Sequence, residues 1–165
     1  MKKVAVIMGS ASDLPIAREA LEVLKNFGVP ASGRILSAHR SPEAVADFGR
    51  SAAEEGYGVM IALAGKAAHL AGVLASHTLL PVIGVPVHSA DLGGLDALLS
   101  TVQMPKGIPV ATVAINGAAN AALLAIRMLA VDSPELAQKL ARYSRDMKEK
   151  AAEADSALRK EIENI

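Results

Sequence analysis

Cysteine and tryptophan are absent from this chain of 165 residues, and aromatic residues make up only 2% of it. The absence of cysteine excludes disulfides, thiolate metal sites and thiol nucleophiles. The shortage of aromatic rings disfavours a flavodoxin-like FMN carrier, which needs such rings to enclose the flavin. A phosphate-receiver domain is also disfavoured, because it needs several acidic residues at strand ends and only Asp13 is near one.

Net charge and long apolar runs are lacking as well. The 17 basic residues balance the 17 acidic ones, whereas surfaces for nucleic acid or anionic membranes carry an excess of Lys and Arg. Every apolar run is broken by Gly, Pro or charge before the roughly 18 residues that a membrane-spanning helix needs. Residues 1–3 lead directly into a short strand pattern, without the apolar segment of a secretory leader. We therefore expect a soluble cytoplasmic protein with no nucleic-acid or membrane partner.

Apolar residues are abundant, at 52%, but many of them are alanines. Small side chains allow close packing, yet each buries little apolar surface, and burial is worth roughly 25 cal/mol per Å2. We expect subunit association to supply additional burial, so that the protein is an obligate oligomer. The length suits one domain, residues 1–165, with a single core.

Strand-like and helix-like patterns alternate along the chain. Strands are predicted over residues 4–8, 31–36, 59–64, 81–85 and 109–114. Helices are predicted over residues 13–27, 41–56, 67–76, 95–100 and 116–129. A long final helix is predicted from Ser133, with a mostly polar tail beyond about residue 151 that frays or lies on a neighbouring subunit. This alternation is typical of an α/β fold in which helices cover a mostly parallel sheet.

A histidine, an arginine and two hydroxyl groups follow the second predicted strand, within residues 37–42. Open α/β sheets bind their ligands beyond the carboxyl ends of the strands, which makes this segment a candidate site. Arg40 can bind a phosphate or carboxylate in a bidentate manner. His39 is a candidate general acid or base, since histidine ordinarily titrates near pH 6.5; the alternative is a structural histidine.

Two other strand ends carry residues of similar chemistry. In residues 9–13, a glycine, two serines and a helix N-terminus suit a phosphate, and Asp13 suits a ribose hydroxyl; the alternative is an ordinary helix cap. This segment matches neither the GxxxxGK[ST] nor the GxGxxG pattern. In residues 65–70, the apolar surroundings of His69 favour a hydrogen-bonded core residue. The segments together predict a site for a small phosphorylated anion, without a bound metal.

A polar loop at residues 89–96 contains two glycines and two aspartates. It either closes over a ligand or is simply solvated.

Six blocks of sequence resemble the PurE family of purine biosynthesis, in the family's order and between residues 4 and about 130. They are Met8-Gly9-Ser10 with Ser12-Asp13, Ser37-Ala38-His39-Arg40 with Pro42, Ala67-Ala68-His69-Leu70, Leu80 to Pro86, Val102 to Pro105, and Asn120 to Leu124. The resemblance implies a three-layer α/β/α subunit with a flavodoxin-like sheet, assembled as a homo-octamer. It also implies a mutase that converts N5-carboxyaminoimidazole ribonucleotide to 4-carboxyaminoimidazole ribonucleotide without a metal or organic cofactor.

The resemblance further implies roles for individual residues. Ser10, Asp13 and Arg40 would bind the ribonucleotide, and Ser12 and Ser37 would line the same site. His39 would be the catalytic acid and base in a reaction that removes carboxylate from nitrogen, holds carbon dioxide and adds it to the ring carbon. The remaining substrate-binding residues are expected in the segment that would form a small, dry, apolar pocket for carbon dioxide: Gly65, Lys66, Ala67, His69 and Leu70.

Lys66 departs from the family pattern, which usually has glycine there. A cation at this position either adds a contact to an anion or points into solvent. A second branch of the family carboxylates aminoimidazole ribonucleotide directly with carbon dioxide, and it tends to carry Lys after the catalytic His and a Ser-Asn-Ala-Leu run. Arg40 and the Ala67–Leu70 segment favour the mutase. The carboxylase is the alternative, and a non-catalytic nucleotide-binding module is a remote one.

Overall fold

Strands and helices alternate in the computed structural model, which describes residues 1–163 and 165. The strands are β1 (Lys3–Met8), β2 (Ala31–Ile35), β3 (Tyr57–Gly65), β4 (Val82–Val87) and β5 (Ala111–Thr112). The helices are α1 (Leu14–Phe27), α2 (Pro42–Ser51), α3 (Leu70–Ser76), α4 (Leu95–Val102), α5 (Ala118–Ala130) and α6 (Pro134–Glu163). A 3-10 turn, Ala11–Asp13, leads into α1.

The described strands form one parallel sheet in the order β2-β1-β3-β4-β5. This is the strand order of flavodoxin-like folds, so the predicted α/β architecture is confirmed. The chain runs from β1 to β2 on one side and then returns to β3 on the other side of β1. A crevice opens at such a reversal, beyond the carboxyl ends of β1 and β3.

Helices cover both faces of the sheet. Side chains alternate between the two faces of a strand, and Ala5 and Ile7 of β1 join a buried cluster with Phe48 of α2 and Leu74 of α3. That cluster includes no residue of α1, which packs against β1 and β2. Val6, which is fully buried, therefore faces the α1 side. Because both faces are covered, β1 and β3 are continuous apolar runs, as the sequence pattern predicted.

Three elements depart most clearly from the prediction, and the others match it within two residues at each end. Helix α2 ends at Ser51 and not at Gly56, and turns connect it to β3. Strand β5 contains two residues, not six, and it follows Pro109, which has no N–H to donate to a sheet. Helix α3 begins at Leu70, because Lys66 has a left-handed backbone (φ +55°) and residues 66–69 form tight turns.

The chain consists of two compact units, residues 1–129 and 130–165. The first contains the sheet and the helices up to nearly the end of α5. The second contains α6, whose first turn is capped by the Ser133 hydroxyl, which accepts the N–H of Leu136 at 3.4 Å. The predicted polar tail is helical as far as Glu163. Among the described residues, no helix is long and apolar enough to span a membrane.

Candidate active site

The segments that follow β1, β2, β3 and β4 line one cleft with a volume of about 540 Å3. It lies at the sheet edge where the topology places a crevice. The residues lining it are Gly9, Ser10, Ser12, Asp13, Ser37, Ala38, His39, Arg40, Ala64, Gly65, Lys66, Ala67, Leu70, Val87, His88 and Ser89. Ten of the eleven site residues predicted from the sequence are in this set, and the eleventh, His69, lies next to it.

The segment after β1 is held by its own hydrogen bonds. The Ser10 hydroxyl accepts the N–H of Ser12 at 3.3 Å, and the Asp13 carboxylate accepts the N–H of Ser10 at 3.0 Å. Asp13 is buried, with 5% of its surface exposed. Burial raises the pKa of Asp13 above its usual value, although hydrogen bonds from Ser10, Gly9 and Ser12 oppose that rise. A buried carboxyl at the cleft wall is suited to a hydrogen bond with a ligand hydroxyl.

Arg40 joins the segment after β2 to the segment after β1. Its Nε donates to the Ser37 hydroxyl at 3.2 Å, and its Nη2 donates to the carbonyl oxygen of Gly9 at 3.0 Å. A guanidinium has five N–H donors, and these two bonds use two of them. The side chain is therefore fixed at the cleft and retains donors for an anionic ligand.

Ser41 stands at the predicted start of α2, but its side chain makes no capping hydrogen bond to that helix. Its hydroxyl instead accepts the N–H of Ser37 at 3.2 Å and donates to the Ser37 carbonyl at 3.1 Å. The two bonds close the turn that carries His39 and Arg40. The serine predicted to start the helix thus orders the cleft segment that precedes it.

His39 and His69 form a pair at the cleft. His39 Nε2 lies 2.8 Å from His69 Nδ1, and the rings meet edge to face with centroids 5.0 Å apart. Such a contact requires one hydrogen between the two nitrogens, so one ring donates and the other accepts. A proton can move along this contact between the segments that follow β2 and β3.

The interpretation of His69 as a core residue is wrong. Its side chain is exposed, and it occupies the N-cap position just before α3. The sequence pattern had started this helix at residue 67, which puts His69 within an apolar face. Because α3 begins three residues later, that face starts with Leu70, and His69 is left at the cleft side.

Lys66 forms an ion pair with Asp91, with Nζ 2.6 Å from Oδ2. The hydrogen bond to Asp91 raises the pKa of Lys66, and the same bond lowers the pKa of the Asp91 carboxyl. Asp91 lies between β4 and α4. It belongs to the polar loop for which the sequence analysis gave two alternatives, closing over a ligand or facing solvent. The predicted alternatives for Lys66 were a contact to an anionic ligand or a solvent-facing side chain. Its side chain is 70% exposed and also pairs with Asp91 of this loop.

Sequence reasoning missed Val87 and His88, which line the cleft at the carboxyl end of β4. Ser89, which also lines it, begins the polar loop that the sequence analysis considered as a cover for a ligand. The His88 N–H is held by the side chain of Asn116 at 2.9 Å. The position of Val87 and His88 could have indicated this role, because they stand at the carboxyl end of a parallel strand, as the other cleft segments do. No group of three or more His, Asp or Glu residues able to hold a metal occurs in the described part of the chain.

The family model described as AIR carboxylase matches residues 3–150. The chain therefore belongs to the AIR carboxylase, or PurE, family. The match covers the whole sheet and more than half of α6, and it stops close to the point where the sequence becomes mostly polar. The resemblance deduced from the six sequence blocks is confirmed.

Curated relatives and a solved structure are similar to this PurE-family chain over most of its length. The N5-carboxyaminoimidazole ribonucleotide mutase of Pyrococcus horikoshii is 58% identical over 150 residues, which are 91% of this chain and 85% of that protein. The chloroplastic phosphoribosylaminoimidazole carboxylase of Vigna aconitifolia is 57% identical over 143 residues, which are 87% of this chain but 26% of that protein. The crystal structure of Treponema denticola PurE matches with a TM-score of 0.84 and 32% identity, covering 94% of this chain and 97% of that one.

Proposed function

We propose that this protein is an N5-carboxyaminoimidazole ribonucleotide mutase of purine biosynthesis, which produces the 4-carboxy isomer. The observation that carries the proposal is the meeting of His39, Arg40 and Asp13 in one cleft, in a chain of the PurE family. The name of the Pyrococcus relative, matched over most of its length, supports the mutase. The plant carboxylase supports the alternative less, because this chain matches only a quarter of it.

Substrate binding uses the polar wall of the cleft. A volume of about 540 Å3 suits a nucleoside monophosphate-sized ligand. Arg40 pairs with an anionic group of the substrate through the donors that Ser37 and Gly9 leave free. Asp13 accepts a hydrogen bond from a ribose hydroxyl, and the hydroxyls of Ser10 and Ser12 complete this wall.

His39 moves the single proton that the isomerisation needs. The C–N bond of the substrate carbamate breaks, carbon dioxide leaves, and the exocyclic nitrogen takes a proton from His39. The ring carbon then forms a C–C bond to carbon dioxide, and His39 removes the proton from that carbon. The proton taken from the ring carbon restores the protonated form of His39, so no co-reactant is consumed. His69 holds the His39 ring through the 2.8 Å contact during both transfers.

The apolar wall of the cleft retains carbon dioxide between the two steps. Ala64, Ala67, Leu70 and Val87 line this wall with small or aliphatic side chains. Exclusion of water prevents loss of the intermediate to bicarbonate. In this proposal the apolar wall is formed by residues at the ends of β3 and β4 and at the start of α3, and the ribonucleotide is held by the segments after β1 and β2.

A spectrophotometric assay tests this function. Wild-type protein is given N5-carboxyaminoimidazole ribonucleotide at low bicarbonate and, separately, aminoimidazole ribonucleotide with bicarbonate. We expect rapid conversion of the first substrate and loss of that activity in His39→Asn, with His77→Asn as the control histidine outside the cleft. Conversion of the second substrate alone would identify a carboxylase. Turnover of neither substrate by folded protein would favour a non-catalytic binding module.

We further propose a homo-octamer in the cytoplasm, with α4 at a subunit interface. Leu95, Leu99 and Val102 are exposed along one face of α4, at the spacing of an amphipathic helix. Large apolar side chains that lie together on an exposed helix face are typical of an interaction surface. Leu99→Asn should reduce the mass measured by light scattering, whereas Ala53→Asn, on an exposed turn, should not. An unchanged mass for both variants would remove α4 from the interface.

A further inference from the structure

The ion pair between Lys66 and Asp91 joins two of the cleft segments. Lys66 lines the cleft after β3, and Asp91 lies in the β4–α4 loop, residues 88–94. Lys66 has φ +55°, a backbone conformation that is uncommon for residues other than glycine. The strained backbone of Lys66 therefore occurs at a residue that also forms an ion pair between two of the cleft segments.

The β4–α4 loop is restrained at its start and near its middle. The His88 N–H is bound by the Asn116 side chain, and Asp91 is bound by Lys66. Beyond Asp91 the loop passes through two glycines, Gly93 and Gly94, which both have positive φ angles. Backbone of this kind permits the loop to adopt other conformations when its restraints are removed.

The loop contributes a polar group that has no partner within the described part of the chain. The Ser89 hydroxyl oxygen is buried and makes no hydrogen bond there, although Ser89 lines the cleft. An unpaired buried hydroxyl is costly unless a ligand or water satisfies it. Ser89 lines the cleft through its other atoms, so the position of the loop fixes this part of the cleft wall.

We propose that Asp91 is a positioning residue that acts through Lys66 to hold the β4–α4 loop, and with it Ser89 at the cleft wall, in position for substrate binding. The proposal rests on the proposed mutase function. Asp91 itself does not line the cleft, and a free carboxylate near an anionic substrate would repel it. Pairing with Lys66 neutralises that charge while it fixes the loop. Preorganisation of this kind improves binding without changing the chemical step.

The expected effect is modest, because both partners are largely exposed and exposed ion pairs contribute little. Asp91→Asn and Lys66→Gln should each raise KM about two- to fivefold and leave kcat unchanged. Combining the two should raise KM no further, since either change alone breaks the pair. The exchanged pair, Lys66→Asp with Asp91→Lys, should restore KM; aspartate tolerates a positive φ better than most residues.

Kinetics with N5-carboxyaminoimidazole ribonucleotide and hydrogen–deuterium exchange of the ligand-free protein test the proposal together. Backbone amides of residues 89–94 should exchange faster in Asp91→Asn than in wild type. Asp47→Asn is the matched control, because it breaks an exposed pair with Arg50 on α2, away from the cleft.

Three outcomes would overturn the proposal. Unchanged exchange in Asp91→Asn would show that the pair does not hold the loop. A rise in KM from Lys66→Gln that persists in the Asp91→Asn background would show that Lys66 binds substrate directly. Failure of the exchanged pair to restore KM would show that loss of the ion pair is not the cause of the higher KM in the single variants. An inactive wild type would instead refute the mutase function, while the exchange measurement would still test the loop.

Discussion

Replacing His69 by alanine removes the nitrogen that lies 2.8 Å from Nε2 of His39. A hydrogen bond between uncharged groups contributes about 0.5–1.5 kcal/mol. If this bond orients His39 in the transition state, its loss should lower kcat roughly 2- to 13-fold. Loss of a general acid and base lowers the rate about 10²- to 10⁴-fold. His69→Ala should therefore be clearly active where a variant of His39 is not.

Two conservative variants separate hydrogen bonding from proton transfer. An asparagine at position 69 places an amide atom near the site of Nδ1, so His69→Asn should keep kcat within about twofold of wild type. A glutamine at position 39 places an amide atom near the site of Nε2. His39→Gln should keep the contact to His69 but lose activity, because an amide does not titrate.

The assay measures kcat and KM for N5-carboxyaminoimidazole ribonucleotide across the pH range in which histidine titrates. His77→Asn serves as the control, since His77 lies at the end of α3 and outside the cleft. A loss in His69→Ala as large as that in His39→Gln would refute the assignment, because His69 would then transfer the proton itself. Equal activity of His69→Ala and wild type would show that the contact plays no part in the reaction.

Two further predictions concern stability, measured as the urea midpoint at fixed protein concentration. Gly84→Ala should lower the free energy of unfolding by about 1–3 kcal/mol, because a Cβ there would overlap a methyl group of Thr101. Gly33→Ala is the control, since its Cβ would lie 3.8 Å from the nearest neighbouring atom. Equal losses of stability in the two variants would contradict the packing argument. Burial raises the pKa of Asp13 above its unfolded value of 3.8. The folded state therefore binds more protons between these two pKa values, and stability falls as pH rises through that window. Asp13→Asn should remove this dependence of stability on pH and should be more stable than wild type at neutral pH, while its KM rises. A variant less stable than wild type at neutral pH would contradict the predicted direction of the effect.

Short-range patterns account for what could be predicted of the fold. The apolar runs of β1, β3 and β4 and the amphipathic spacing of α1 are local properties, so the alternation was recognisable without coordinates. The sequence pattern did not predict the start of a helix that is decided by a single backbone angle. The left-handed Lys66 delays α3 to Leu70, and no periodicity in the surrounding residues reports that angle.

The sequence by itself determined which segments carry chemistry, because glycine, hydroxyl, imidazole and guanidinium groups stand directly after its strand patterns. The tertiary structure decided which of these groups meet. His39 and His69 are 30 positions apart, and Lys66 and Asp91 are 25 apart. Their contacts depend on the order β2-β1-β3-β4, which brings the carboxyl ends of these strands to one edge. Strand order follows from how the buried faces pack together, and packing is a property of the whole chain that no local segment contains.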